Sequence, residues 1–264
     1  MDALITAGGT PQPGEPLYEY TLGKPKSLLD VAGKPMIQWV LDALGDSQMV
    51  ESVVVVGIDE TSGVTCIKPL TFIPDQKGMF ENLQAGAFKL AELKPGTKVV
   101  LSISSDIPAI TGKMVDWVVQ KVQETDNELY YLVHSREVME TRFPESHRSY
   151  YRLGNVDVCG ADVHAFDISL VTTRQDLWRS LVAARKNAFH QAAILGFDTL
   201  ILFALRLATV DQLAQRVGRH LKIRTRVEFC PYAEAGMDAD KPFQVEILRR
   251  NLEKTITTDN HIQK

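Results

Sequence analysis

The sequence has 264 residues, of which 45% are hydrophobic and 23% charged, and its formal net charge is −4. This length allows one large domain or two small ones, and the composition is that of an ordinary globular protein. The slightly acidic balance argues against a broad basic surface, so we expect no nucleic acid partner. The three cysteines, Cys66, Cys159 and Cys230, show neither metal-ligand spacing nor a disulfide framework, which favours a reduced, cytoplasmic compartment.

No segment predicts a membrane span. The most apolar run, residues 199–205, is far too short to cross a bilayer and lies between Asp198 and Arg206. No basic region precedes the first apolar run, so we also expect no signal peptide.

Strands and helices alternate from residue 3 to about residue 135. A first strand begins at Ala3, and buried or alternating apolar runs predict further strands at 53–56, 70–74, 99–103 and 129–133. Helical spacing predicts helices at 36–45, 79–93 and 114–122. This alternation is typical of an α/β three-layer sandwich with a mixed, mainly parallel, Rossmann-like sheet. In such sheets ligands bind at the carboxyl ends of the strands.

The second half is less regular. We predict a strand or hairpin at 156–166, broken at Gly160, and a strand at 225–229. Predicted helices follow at 170–186, 189–207 (one helix or a pair), 211–220 with Thr209 as cap, and from Pro242 to about Lys254. We therefore expect a single domain at 1–255 with a lobe inserted at about 138–222. A polar tail at 256–264 should fray, and the apolar residues 194–207 favour a buried helix or one that forms a homodimer.

The first strand runs into the loop Ala7-Gly8-Gly9-Thr10. Adjacent glycines let backbone amides approach an anion closely, and phosphate is the usual anion bound by such a loop. The loop matches neither the Gly-x-Gly-x-x-Gly dinucleotide pattern nor a P-loop, which argues against a dehydrogenase and against a P-loop kinase. Because lysines follow at a distance that allows them to fold back over the same ligand, the stretch suggests a nucleoside triphosphate site.

Three short motifs carry a specific resemblance. Ala-Gly-Gly at 7–9, Pro-Lys-Ser-Leu at 25–28 and Gly-Lys-Pro-Met at 33–36 resemble the N-terminal signature of nucleotidyltransferases with a glycosyltransferase-A-like fold. These include sugar-1-phosphate nucleotidyltransferases and molybdenum-cofactor guanylyl- and cytidylyltransferases. The resemblance implies that Lys26 contacts the triphosphate, where a fixed cation stabilises developing charge. We interpret Lys34 as a solvated lysine of a turn.

The loop after Gly9 departs from the family pattern. Related enzymes usually have an arginine soon after Ala-Gly-Gly, and this sequence has none before Lys24. Lys24 could replace it, but as a point charge and not as a bidentate fork.

The resemblance also implies that the loop before the helix at 79–93 reads the base. Gly78 would let the backbone approach a flat base, and Asn82 lies one turn into the helix. The alternative is an ordinary helix start capped by Asp75, with Asn82 in a structural role. The candidate nucleotide-binding residues are thus Ala7, Gly8, Gly9, Thr10, Lys24, Lys26, Asp75, Gly78 and Asn82.

A magnesium site is implied by two acidic segments. Asp106 follows the strand at 99–103 and precedes Pro108, where the family places a metal-binding aspartate. Asp238 and Asp240 precede the last helix and share one face of an extended chain, so either could join Asp106 on Mg²⁺. The alternatives are that Asp106 forms a turn or cap and that Asp240 caps the last helix.

The implied reaction is nucleotidyl transfer, with Lys26 and Asp106 as the catalytic residues. A phosphorylated small-molecule acceptor, either a sugar 1-phosphate or a molybdopterin-like compound, would attack a nucleoside triphosphate and release pyrophosphate. Asn155 and the segment Arg185-Lys186-Asn187 are candidates for the acceptor pocket. The alternative function is a nucleotide- or sugar-nucleotide-binding module with weak or no turnover, which the missing arginine favours.

Overall fold

The structure, a computed structural model, describes residues 1–175 and 208–262. The strands are β1 (Ala3–Thr6), β2 (Asp30–Val31), β3 (Lys34–Pro35), β4 (Val53–Val56), β5 (Leu70–Ile73), β6 (Val99–Ser104), β7 (Leu129–Ser135), β8 (Tyr151–Leu153), β9 (Val156–Gly160), β10 (Val163–Asp167) and β11 (Thr225–Phe229). The helices are α1 (Tyr18–Thr21), α2 (Met36–Asp46), α3 (Met79–Leu93), α4 (Gly112–Gln123), α5 (Arg136–Arg142), α6 (Ser169–Thr172), α7 (Val210–Leu221) and α8 (Pro242–Ile262).

Within the described residues, all strands except the β2–β3 hairpin join one nine-stranded sheet. β5, β4, β1 and β6 are neighbours and run parallel, and β11 runs parallel to β7. β10 lies between β6 and β7 and is antiparallel to both. The predicted α/β architecture with a mixed, mainly parallel sheet is therefore confirmed.

β9 and β10 form one interrupted strand and not a hairpin. Both pair antiparallel with β7, along the side of β7 that does not pair with β11. Val133 pairs with Gly160 of β9, and Tyr130 pairs with Ala165 of β10. Two residues of β7 separate these pairs, against four residues of the other strand, so the chain bulges between Gly160 and Ala165. A bulge bends a strand and redirects its side chains. Here it sets the direction of Asp162.

Helices cover both faces of the sheet because successive strand residues point to opposite sides. Ile5 of β1 packs in the cluster that contains α2 and α4, whereas its neighbour Leu4 packs in the cluster that contains α3. Both side chains are fully buried. This division produces the three predicted layers and leaves the strand ends free to form a site.

Local patterns predicted many bounds well. β4, α3 and β11 have the predicted limits, and Thr209 caps α7 in a capping box with Gln212, as expected. The last helix begins at Pro242 as predicted, but it continues to Ile262 instead of ending near Lys254. We expected the chain to fray after Thr255, and this is wrong for the residues up to Ile262, where α8 ends. α1, α5 and β8 were not predicted.

The segment at 138–222, which we expected to form an inserted lobe, contributes β8, β9 and β10 to the main sheet. Most of the predicted helix at 170–186, and all of that at 189–207, lies outside the described residues. In the described part of the chain, no helix is long and apolar enough to cross a membrane.

Candidate active site

The glycine loop follows β1 and rests directly on the neighbouring backbone. Gly57, the first residue after β4, has φ +123°, and a Cβ there would lie 2.2 Å from the backbone nitrogen of Gly8. A Cβ on Gly8 would lie 2.2 Å from Oδ1 of Asp75, whereas one on Gly9 would meet nothing within 4 Å. Gly8 is thus required for close packing, and Gly9 faces open space.

Asn82 fixes the loop that precedes α3. Its side chain is 5% exposed, donates from Nδ2 to Oδ1 of Asp75 at 2.8 Å, and accepts from the backbone N–H of Gln76 at 2.7 Å. The residue at the N-cap of α3 is Gly78, without a side-chain cap. Asp75 therefore does not cap α3, and that alternative is wrong. The oxygen and the nitrogen of the Asn82 side chain are both hydrogen-bonded within the protein, which agrees with the structural role for Asn82 and not with an amide that is free to contact a ligand.

A cavity of about 380 Å³ opens between the glycine loop, the loop before α3 and the end of β6. Its volume lies in the usual range for small-molecule sites. Eight residues predicted for the site line it: Ala7, Gly8, Gly9, Lys26, Asp75, Gly78, Asn82 and Asp106. Thr10 and Lys24 are exposed and do not line it, whereas Lys77, which was not predicted, does.

Lys26 joins the two acidic segments. Its Nζ lies 2.5 Å from Oδ2 of Asp106 and 2.5 Å from Oδ1 of Asp240, and its backbone N–H donates to the carbonyl of Gly9 at 2.7 Å. Burial alone lowers the pKa of Lys26, but the two carboxylates outweigh it and hold the pKa above its ordinary value. Ser104 Oγ donates to the other oxygen of Asp106 at 2.5 Å. The side chains of Asp106 and Asp240 thus bond to the predicted lysine and do not cap a helix.

Asp238 lies on the other side of this cluster, where Arg148 contacts it. The guanidinium pairs with Asp238, donates to the carbonyl of Gly160 at 3.1 Å, and lies 3.7 Å from Oδ2 of Asp162. Arg148 and Asp162 were not predicted. The break at Gly160 was the available signal for Asp162, since an isolated glycine within a strand pattern often marks a bulge; no sequence motif pointed to Arg148.

The carboxylates of this region repel one another. Burial and the negative charges of Asp238 and Asp106 raise the pKa of Asp162 to about 8, although Arg148 opposes the shift. Burial also raises the pKa of Asp238, with Arg148 again opposing. Burial raises the pKa of Asp240 too, but the pairing with Lys26 outweighs it and the pKa lies below its ordinary value. Local negative charge is therefore only partly neutralised.

The backbone holds these residues together at one edge of the sheet. The N–H of Ala239 donates to the carbonyl of Asp106 at 3.0 Å, and the N–H of Ser104 donates to the carbonyl of Asp162 at 2.9 Å. Asp106 is thus tied to the segment between Asp238 and Asp240. Within the described residues, however, no group of three acidic, histidine or cysteine side chains is arranged to hold a metal ion.

Of the predicted acceptor residues, the structure describes Asn155, which is not part of this arrangement. Asn155 is exposed in the turn between β8 and β9 and does not line the cavity. Arg185, Lys186 and Asn187 lie outside the described residues. The structure therefore brings together most of the predicted nucleotide-binding and acidic residues, whereas Asn155 lies apart from them.

Comparisons with solved structures agree with the observed fold. A hypothetical transferase structure from Thermus thermophilus is 29% identical, with TM-score 0.79, over 92% of this chain and 98% of that chain. A CMP:2-keto-3-deoxy-manno-octonic acid synthetase complexed with CTP is 14% identical, with TM-score 0.58, over 96% and 99%. A 4-diphosphocytidyl-2C-methyl-D-erythritol synthase from Anaerococcus prevotii is 10% identical, with TM-score 0.59, over 96% and 95%. The last two, at such low identity, support the fold alone.

A comparison with curated protein sequences finds no match. Residues 3–199 match the family described as the MobA-like NTP transferase domain, and this match extends well beyond the N-terminal motifs. Because it spans more than half of the sequence, the chain belongs to the family of MobA-like NTP transferase domains, which are nucleotidyltransferases.

Proposed function

We propose that the protein is a magnesium-dependent nucleotidyltransferase that joins a nucleoside triphosphate to a phosphorylated small-molecule acceptor and releases pyrophosphate. One observation carries the proposal: Lys26 lies against the glycine loop through its backbone and against Asp106 and Asp240 through its ammonium group. Phosphate-binding amides, a cation and carboxylates therefore meet at the edge where parallel sheets bind ligands.

The triphosphate would lie in the cavity between Gly9 and Lys26. Gly9 has free space above it, so its backbone is accessible to phosphate oxygens. The ammonium group of Lys26 would stabilise the negative charge that grows on the leaving pyrophosphate. An acceptor phosphate is already ionised, so the protein needs no nucleophile of its own, and catalysis consists of positioning and charge stabilisation.

The side chains present suit a magnesium ion. Among the described residues, four carboxylates (Asp106, Asp162, Asp238 and Asp240) form ion pairs with two cations, Lys26 and Arg148. One buried carboxylate oxygen of Asp162 has no hydrogen-bond partner within the same described ranges. Asp106, with Asp238 or Asp240, would hold the ion, since Mg²⁺ binds one or two carboxylates together with phosphate oxygens. When bound, the ion neutralises phosphate charge and makes the α-phosphate a better electrophile.

The loop that contains Asp75 and Gly78 would read the base, because Asn82 holds it in one conformation beside the cavity. The base and the acceptor, whether a sugar 1-phosphate or a molybdopterin-like compound, are open to test. We also propose a cytoplasmic location, in agreement with three free cysteines. The apolar residues 194–207 lie outside the described residues, and their composition favours a buried helix or one that forms a homodimer.

The test is a pyrophosphate-release assay with Mg²⁺ that pairs each common triphosphate with sugar 1-phosphates and a molybdopterin-type phosphate. CTP has priority because one structural neighbour is complexed with CTP and another is a 4-diphosphocytidyl-2C-methyl-D-erythritol synthase. We expect release with at least one pair. Triphosphate binding without release for any pair would favour the alternative, a nucleotide-binding module.

Two lysine variants make the assay specific. Lys26→Met should lower the rate about 100- to 1000-fold, the usual cost of removing one group that stabilises a transition-state charge. Lys34→Met is the matched control, since Lys34 pairs with Asp42 at 2.7 Å and lies outside the cavity. Equal rates for the two variants would remove Lys26 from the mechanism.

A further inference from the structure

The guanidinium of Arg148 lies inside the acidic cluster, which consists of Asp106, Asp162, Asp238 and Asp240. Its side chain is 15% exposed, as against 45% for Arg142 and 43% for Arg152. Because removal of a charge from water costs free energy, an arginine in such a position must be compensated by the groups around it. The partners of Arg148 therefore indicate why it is there.

Arg148 compensates the cluster only in part. It pairs with Asp238 through one nitrogen, and its other terminal nitrogen donates to the carbonyl of Gly160 at 3.1 Å. That second nitrogen lies 3.7 Å from Oδ2 of Asp162, which is too far for a hydrogen bond. Oδ2 of Asp162 is buried and has no hydrogen-bond partner within the described residues. A structural ion pair would be expected to satisfy this oxygen, since an unpaired buried acceptor is costly.

The direction of Asp162 comes from the bulge in the strand. The backbone N–H of Asp162 donates to the carbonyl of Ala235 at 2.8 Å, and its carbonyl accepts from Ser104 at 2.9 Å. The residue is thus held between β6, which leads to Asp106, and the segment that leads to Asp238. Bulges often direct a side chain into an active site.

Together these contacts place an unsatisfied carboxylate oxygen beside an arginine whose terminal nitrogens bond to Asp238 and to the carbonyl of Gly160 instead. We propose that Asp162 is a further carboxylate of the divalent-cation site, and that Arg148 holds the place of the cation and competes with it. This inference rests on the proposed function, because it concerns the same ion. It also agrees with the absence, among the described residues, of a group of three side chains arranged to hold a metal ion: the guanidinium of Arg148 would have to leave Asp238 before the carboxylates could hold a cation together.

The experiment measures Mn²⁺ binding to the full-length chain by electron paramagnetic resonance, without nucleotide. Arg148→Gln removes the competing charge, so it should bind Mn²⁺ about three- to tenfold more tightly than the wild type. Arg148→Lys keeps the charge and should bind within about twofold of the wild type. Arg152→Gln, the matched control, removes an exposed arginine that pairs with Asp157, and it should leave binding unchanged.

Asp162→Asn tests the other half of the proposal and keeps the shape of the side chain. It should weaken Mn²⁺ binding about 10- to 100-fold. Binding by Asp162→Asn equal to that of the wild type would overturn the proposal even if Arg148→Gln did not fold. Weaker or unchanged Mn²⁺ binding by a folded Arg148→Gln would also overturn the proposal. A purely structural arginine organises the site, so its loss cannot strengthen Mn²⁺ binding.

The pyrophosphate-release assay separates this inference from the proposed function. Release by the wild type together with unchanged Mn²⁺ binding by both variants would overturn the role of Arg148 and Asp162 and leave the nucleotidyltransferase intact. No release for any substrate pair, with the expected Mn²⁺ affinities, would support the cation site and overturn the enzyme.

Discussion

The two adjacent glycines of the first loop should respond in opposite ways to substitution by alanine. Neither has a positive φ, so alanine is compatible with the backbone at both positions. A Cβ on Gly8 would lie 2.2 Å from Oδ1 of Asp75 and 2.7 Å from Nδ2 of Asn82, whereas one on Gly9 would contact nothing within 4 Å. The difference between the variants therefore measures steric packing under the loop.

The magnitude follows from what Gly8→Ala displaces. The carboxylate of Asp75 must move, which breaks its 2.8 Å hydrogen bond to the buried amide of Asn82. An unpaired buried amide costs about 1–3 kcal/mol, and overpacking adds about 1–3 kcal/mol. Partial relaxation leaves an expected loss of about 2–4 kcal/mol, or roughly 4–16 °C in Tm. Gly9→Ala should be neutral or stabilise the fold by about 0.4–1 kcal/mol, because it restricts the unfolded chain.

Urea unfolding followed by circular dichroism measures both variants directly. A double-mutant cycle with Asn82→Ala identifies the cause: once the amide is gone, Gly8→Ala should cost about 1 kcal/mol less than it does alone. Equal stability of Gly8→Ala and Gly9→Ala would refute the packing argument. A purely additive cycle would show that Gly8 acts through other contacts.

Two further predictions concern stability. Thr209→Ala removes the capping box with Gln212 at the start of α7 and should cost about 1 kcal/mol in urea unfolding, whereas Thr209→Ser should retain most of the stability; an equal loss in both would contradict the cap. Asp162→Asn should raise the Tm of the metal-free protein, and more so at about pH 8 than at about pH 5. The pKa of Asp162 is about 8 in the folded chain against 3.8 as its ordinary value, so between these values the folded state keeps a proton that the unfolded state has lost, and wild-type stability falls as pH rises. Thermal unfolding with a chelator at the two pH values measures this, and a Tm gain that is independent of pH would contradict it.

Elements with a clear local apolar pattern were predictable from the sequence. The run at Val53–Val56 is buried on both sides and became β4, and the helical spacing from Met79 to Leu93 became α3 with the same limits. The glycine loop after β1 and Asp106 after β6 also lie close together, because parallel strands end at one edge of the sheet. Lys26 and Asp106 are 80 residues apart in the chain, yet their side chains are bonded.

The end of the last helix was not predictable in this way. After Lys254 the sequence becomes polar, which we interpreted as a fraying tail, yet α8 continues to Ile262. Thr255 and Thr257 each donate to the carbonyl four residues before them, so their hydroxyl groups bond along the helix. Polar composition alone therefore does not separate an exposed helix from a disordered tail.

The most informative omission is Asp162, and its cause lies in the direction of the strand. The predicted glycine loop and Asp106 follow strands, and parallel strands present their carboxyl ends to the ligand. β10 is antiparallel to β6 and β7, so the same edge of the sheet receives the residue that precedes β10. Asp162 is that residue, and the bulge beside it turns its carboxylate toward Arg148. In a mixed sheet, therefore, the residue just before an antiparallel strand reaches the same edge as the residue just after a parallel one, and in this sequence Gly160 marks the break beside that residue.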